Sequence, residues 1–288
     1  MSHLSSLNGT PLECRIAPNI PKVSTPLGNV QIGSILSYQT KYMRETTQIT
    51  QDCGNTSVTR ASPVCLPNEF KSLNENTKCI NPCDTEVRTR KQALSDHWLH
   101  EKKQTASNFG KVISRRSKPS EKFINSFFSK NDVKTKALEY GKRHEKTAKE
   151  KYPSRHFREC GFVVNNDFSF LGASPDGKLC DNGVCGIVEI KCPFSARKMT
   201  IEKACNDIPD FYLQKDEHVS LKKTQSYYAE IQGQLMVTGC EFCEFIVYTQ
   251  EDMYVERIKS DIPFMTSLLQ KLAEFYRDYA IPYLQSSK

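Results

Sequence analysis

The sequence contains no apolar run approaching the roughly 18 to 20 residues that cross a bilayer, which excludes a membrane-spanning helix. Its opening residues, Met1-Ser2-His3-Leu4-Ser5-Ser6, lack the charged-then-apolar pattern of a secretory leader, so an intracellular, non-secreted protein is expected, with nucleus and cytoplasm not distinguished. Without such a leader the 12 cysteines are expected to be mostly reduced, which argues against a disulfide framework. Apolar residues are sparse: 38% of 288 residues with a mean hydropathy of -0.55, so part of the length is expected to be poorly packed polar sequence. No internal repeat is visible. Basic residues outnumber acidic ones 40 to 33 for a net charge of +7, a modest excess that permits a polyanionic partner without requiring one.

The texture changes near residue 85. Residues 1–84 are rich in Ser, Thr, Asn and Pro with no sustained period, and they are expected to form an irregular or disordered extension. Cys14, Cys53, Cys65, Cys79 and Cys83 punctuate this stretch, but their spacing fits no common zinc-ligand pattern. Residues 85–288 read as the globular domain. Helices are expected over Thr85–Gln104, Pro119–Ser129 and from an Asn131 or Asp132 cap to Tyr152, where Pro153 ends the last. Strand-like runs follow at Gly161–Val164, Phe168–Ala173, Gly177–Leu179 and Val184–Lys191, read as a meander with a turn at Asp181-Asn182-Gly183. A helix at Ala196–Cys205, a loop around Pro209, a helix at Lys222–Val237, strands at Phe242–Tyr248 and Met253–Ile258, and a closing amphipathic helix complete the order. That order predicts an α/β or α+β layered domain with one central mixed sheet flanked by helices.

The chemistry concentrates in Ser174-Pro175-Asp176-Gly177 and, thirteen residues after the aspartate, Glu189-Ile190-Lys191-Cys192-Pro193. Strand side chains alternate, so Glu189 and Lys191 share a face while Ile190 points into the opposite layer. The intervening turn folds Asp176 back beside them. Two close carboxylates repel unless a cation lies between them, and hard oxygen donors suit Mg²⁺, with Mn²⁺ as a substitute. A lysine beside such a site can orient water and offset charge on a phosphorus under attack.

This is the PD-(D/E)xK arrangement, and the two blocks resemble the active-site strands of the lambda exonuclease and YqaJ viral recombinase family. Three further blocks resemble the family in order: Gly141-Lys142-Arg143-His144-Glu145, Tyr228-Ala229-Glu230-Ile231-Gln232, and Gln104-Thr105-Ala106-Ser107. The resemblance covers roughly residues 88 to 280 and implies a restriction-endonuclease-like core. It places Glu145 at the metal with Asp176 and Glu189, and assigns Gln232, in preference to Gln234, to complete the site. It implies that Ser107 and Ser174 bind the 5′-phosphate of a DNA end. The pocket's arginine falls near His100 here, a departure that leaves Lys102 or Lys103 to supply the charge as a point rather than a bidentate fork.

The implied activity is a Mg²⁺-dependent exonuclease that digests one strand of duplex DNA from its 5′ end, in recombination or repair. Its implied partners are double-stranded DNA ends and a single-strand annealing protein, and its implied assembly is a homotrimeric ring. A structure-selective or site-specific endonuclease on the same fold, and a DNA-binding module that no longer cleaves, are the competing readings.

Plainer readings stand beside these. Glu145 is also a helix carboxylate one turn from Lys149, although Gly141 suggests close approach of another element. Cys192 reads as a buried structural thiol, Cys180 and Cys185 as cross-strand neighbours, and the Cys240–Cys243 pair lacks the second pair a metal site needs. Trp98 reads as core. The basic runs Arg88–Lys91, Lys111–Lys118 and Lys142–Lys151 read first as solvated helix faces and second as phosphate-tracking surfaces.

Overall fold

The computed structural model describes residues 22–25, 28–31, 58, 60–75, 82–91, 106–128, 135–152, 157–181 and 183–286. The chain divides into two units, Met1–Gly54 and Asn55–Lys288. In the first, β1 (Lys22–Thr25) and β2 (Gly28–Gln31) form an antiparallel hairpin in which Val23 pairs with Val30.

The second unit starts well before residue 85, which corrects the expected boundary. Val58, Val64, Leu66, Phe70 and Leu73 are all buried. Arg60 donates its backbone N–H to the Thr238 carbonyl, and the Asn74 side chain accepts from the Ser169 N–H at 3.0 Å. These residues lie in coil, in a 3₁₀ turn at Asn68–Phe70 and in the single-turn helix α1 (Ser72–Glu75). Each is buried singly, so no helical or strand period marks them.

The helix expected over Thr85–Gln104 corresponds at its start to α2 (Pro82–Arg88); residues 92–105, with Trp98, His100, Lys102 and Lys103, lie outside the described residues. Glu86 on α2 is fully buried, and it holds Arg90 at 2.7 Å and Lys178 at 3.3 Å while accepting from the Gly161 N–H at 3.1 Å. Next come α3 (Phe109–Ile113), α4 (Glu121–Phe128) and α5 (Lys136–Lys151). The cap of α5 is Thr135, whose hydroxyl accepts from the Leu138 N–H at 3.2 Å, while Asn131 and Asp132 lie outside the described residues.

The expected meander is not what forms. β3 (Val163–Val164) and β4 (Gly172–Ala173) pair only with each other, whereas β5 (Gly177–Asp181) and β6 (Val184–Lys191) form a hairpin inside the main sheet. β6 then pairs in parallel with β9 (Phe242–Tyr248), and β9 antiparallel with β10 (Met253–Lys259), giving the mixed order β10-β9-β6-β5. A parallel pair needs a long crossover. Here it runs through α6 (Ile201–Asp207), a small hairpin of β7 (Leu213–Lys215) and β8 (Val219–Leu221) where a loop was expected, and α7 (Ser226–Thr238).

α7 has no single apolar face and is buried from Tyr228 to Thr238, the pattern of a core helix rather than a surface one. Gly239 ends it in the left-handed region at φ 68°, its N–H donating to the Leu235 carbonyl. A Cβ at Gly233 would lie 2.3 Å from the Phe109 ring, so only glycine lets α3 cross here. On the other sheet face, Ala148 of α5 packs with Val188, Ile190, Ile246 and Tyr248. The chain closes with α8 (Ile262–Phe275), a π turn and α9 (Ile281–Ser286). No described helix is long and apolar enough to cross a membrane.

Candidate active site

Strand parity operates as expected on β6. Ile190 enters the apolar layer beneath α5, so Glu189 and Lys191 project toward α7. Lys191 Nζ donates to Glu189 Oε1 at 2.5 Å and to Glu230 Oε2 on α7 at 3.0 Å, and stands 4.6 Å from the Tyr227 ring centroid. The remaining Glu189 oxygen accepts from Gln234 Nε2 at 2.7 Å. Asp176, just ahead of β5, joins from the neighbouring strand, its Oδ2 accepting from the Ile190 N–H at 2.8 Å.

The charges feel one another strongly. Burial, and then the negative charges of Glu189 and Glu145, push the Asp176 carboxyl well above the usual range, against the pull of Lys191 and Lys149. Burial works to lower the Lys191 ammonium, yet Glu189, Glu230 and Asp176 together hold it well above the ordinary lysine value. Glu145 is near enough to act on Asp176 and also makes the plain helix pair, 2.6 Å from Lys149. Among the described residues the close approach inferred from Gly141 is not found, since a Cβ there would meet none of them within 4 Å.

Gln232 is not in this site. Its amide donates to the Lys259 carbonyl at 3.0 Å and its oxygen accepts from the Asp261 N–H at 2.9 Å, which ties α7 to the β10–α8 connection. Helical geometry explains the correction: two residues turn the side chain by about 200°, whereas the four from Glu230 to Gln234 return it close to the same face. Gln234 therefore stands where Gln232 was expected, and Glu230, inside a family-like block but assigned no role by it, stands beside it. The i, i+4 spacing of Glu230 and Gln234 was the available signal.

For the end-binding pocket, Ser107 is exposed on a 3₁₀ turn, Ala106–Asn108, whose Ala106 is buried and which packs beside β4 and α7, and Ser174 directly follows β4. Lys102 and Lys103 lie outside the described residues. Cys180 and Cys185 are cross-strand partners, and Cys185 Sγ accepts from the Arg60 guanidinium at 2.8 Å. Cys192 packs beneath α5, and burial pushes the Cys243 thiol well up, so both read as structural.

A magnesium ion is implied by this residue class, and the donors fit it. Asp176 and Glu189 offer hard oxygens from adjacent strands, and Glu189 and Glu145 set negative charge beside Asp176 that a dication would offset. Among the described residues no three acidic, His or Cys groups are already closed into a cage. Mg²⁺ does not need one, since one or two carboxylates hold it while water and phosphate fill the other positions.

A mixed sheet flanked by helices, with an aspartate before one strand and Glu-x-Lys on its partner, defines an α/β nuclease of the PD-(D/E)xK class. Residues 97–241 match the YqaJ-like viral recombinase domain, and the chain belongs to that family. No curated protein matches the chain significantly. Among solved structures it is similar to the alkaline exonuclease LHK-Exo of Laribacter hongkongensis, at 22% identity over 64% of this chain and 92% of that one, TM-score 0.49. It is similar to SOX of KSHV, solved with RNA, at 13% identity over 69% and 73%, TM-score 0.48. A phage-related exonuclease of Haemophilus somnus 129PT gives 12% identity over 65% and 96%, TM-score 0.40.

Proposed function

We propose that the chain is a Mg²⁺-dependent deoxyribonuclease that hydrolyses one strand of duplex DNA from its 5′ end in recombination. The observation that supports this most is the grouping of Asp176, Glu189 and a doubly salt-bridged Lys191 at the end of one hairpin. On this reading Asp176 and Glu189 hold the ion, with Glu145 in support. A magnesium ion held there would supply Lewis-acid chemistry to a water and to the phosphate. Lys191, kept protonated by Glu189 and Glu230, places a fixed positive charge where negative charge accumulates on the phosphoryl oxygens. Gln234 fixes the rotamer of Glu189. Ser107 and Ser174 receive the terminal phosphate. The single-stranded product passes to an annealing protein, and a trimeric ring around the duplex gives processivity.

Incubation of purified protein with 5′-phosphorylated linear duplex, with and without Mg²⁺, tests the reading. Mononucleotide release from the 5′-labelled strand is expected only with the ion, and closed circular plasmid is expected to survive. Asp176→Ala and Lys191→Ala should each remove cleavage while the protein stays folded by circular dichroism. Retained cleavage in either variant sinks the assignment, and linearised plasmid would establish the endonuclease instead.

A further inference from the structure

The β5–β6 hairpin carries two thiols outside the active site. Cys180 and Cys185 sit opposite each other, one residue in from the pair that flanks the turn. The backbone fixes which kind of pair they form. Lys178 exchanges both of its backbone hydrogen bonds with Arg158, on the side away from β6, and the Cys185 carbonyl accepts from the Glu241 N–H, on the side away from β5. Backbone groups alternate in direction along an antiparallel strand, so Cys180 and Cys185 form the non-hydrogen-bonded, closer kind of pair, with Cα atoms about 4.5 Å apart. That lies inside the range of about 4.4–6.8 Å that a disulfide spans. Cross-strand partners also project to one face, so the sulfurs can meet without a change of register.

The two thiols are both buried and are not bonded to each other in this structure. The guanidinium of Arg60 donates to Cys185 Sγ at 2.8 Å. Arg60 is exposed, which puts this contact at the boundary between sheet and solvent. Its backbone is anchored on both sides: the N–H donates to the Thr238 carbonyl at 3.0 Å, and the carbonyl accepts from the Asn165 amide at 3.0 Å. A guanidinium held in this way offsets the negative charge of a sulfur attacking an electrophile. Burial instead pushes the Cys160, Cys192 and Cys243 thiols up, away from the thiolate form that reacts.

We propose that Cys180 and Cys185 are an oxidation site, which hydrogen peroxide converts to a disulfide within the hairpin, with Cys185 reacting first and Arg60 assisting it. Cys185 Sγ attacks one peroxide oxygen; the S–O bond forms as the O–O bond breaks, and the leaving hydroxide takes the thiol proton as water. Cys180 Sγ then attacks the sulfenic sulfur. The S–S bond forms as the S–O bond breaks, and a second water carries off the Cys180 proton. The two electrons that the sulfurs lose are those that reduce the peroxide. The bond closes β5 onto β6 between the turn and the strand ends that carry Asp176 and Glu189, so it holds the register of both carboxylates.

The test treats the full chain with hydrogen peroxide, alkylates it with iodoacetamide and digests it with trypsin. Cleavage after Lys178 and Lys191 leaves Leu179–Lys191, which carries these two cysteines and no other. After peroxide this peptide should refuse alkylation until dithiothreitol is added, and should weigh two hydrogens less than the dithiol. The oxidised chain should melt about 4–8 °C above the reduced one, the effect of closing a short loop in a domain of this size. That rise should vanish in Cys180→Ser, whose Cys185 should be left as a sulfenic acid that dimedone traps. Arg60→Met should slow disulfide formation about tenfold, as expected for one charged hydrogen bond lost at the reacting sulfur. Peroxide that consumes the exposed Cys65 thiol while Leu179–Lys191 still takes two alkyl groups overturns the proposal. So does a disulfide from either cysteine to Cys160 or Cys240, or an Arg60→Met chain that oxidises at the wild-type rate.

Discussion

Gln232 and Gln234 lie two residues apart on one buried helix and do different jobs. Gln234 gives its amide to Glu189; Gln232 spans from the Lys259 carbonyl to the Asp261 N–H. Gln234→Leu should leave folding intact and lower kcat by about 10- to 100-fold, the usual effect of removing a group that orients a metal-site carboxylate. Gln232→Leu should do the reverse, costing about 1–3 kcal/mol for two backbone groups left unpaired with kcat unchanged below the melting transition. Steady-state rates and urea unfolding of both variants check the split, and an inactive, fully stable Gln232→Leu would contradict it. The same pair shows what the sequence makes legible at this scale. Glu189 and Lys191 are readable because a strand's two-residue alternation fixes their common face from spacing alone, and Asp176 because the turn at residues 181–183 folds it back beside them. Which glutamine faces them depends on the rotation of a helix that is buried all round, so no amphipathic stripe marks its inner side.

At the scale of elements, α2 docks through charge. Glu86 carries no exposed surface and gathers Arg90, Lys178 and the Gly161 N–H. Burial works to raise its pKa, but the Arg90 hydrogen bonds, the Gly161 N–H and the Lys178 charge outweigh that and hold it below the usual range. A depressed folded pKa means that this contribution is present at neutral pH and is lost as pH falls below the unfolded value of about 4.3. Glu86→Gln should therefore cost about 3–5 kcal/mol at pH 7, because Lys178 stays buried without its partner. The gap to wild type should close in acid. Denaturant melts of both proteins across that pH range measure it, and a gap independent of pH would show that packing, not charge, docks α2. This cluster is not readable from the sequence, because Glu86 falls at the texture change and its partner Lys178 is far along the chain. β9 and β10 are readable from their own alternation and length. The parallel pairing of β6 with β9 is not, since strand order depends on the crossover and not on either strand's pattern.

For the whole molecule the boundary at Gly54 and Asn55 has a measurable consequence. Residues 58 to 75 supply Val58, Val64, Leu66, Phe70 and Leu73 to the buried interior of the second unit, and Arg60 caps the last turn of α7 through the Thr238 carbonyl. Each large side chain removed from a core costs roughly 2–5 kcal/mol, against a total stability of about 5–15 kcal/mol for a domain. Deleting residues 1–54 removes none of these groups, so the melting temperature and cleavage rate should match the full chain. Deleting residues 1–84 removes all five and also exposes the faces they cover, so that protein should fail to show a cooperative thermal transition. Composition alone argues for the second cut, because a Ser- and Asn-rich stretch with isolated apolar residues has no period to read. Equal melting curves for the two truncations would mean that this segment lies on the domain without supporting it; the hydrogen bonds from Ser169 to Asn74 and from Arg60 to Thr238 argue that it is part of the fold that holds α7, and with it Glu230 and Gln234, against the site.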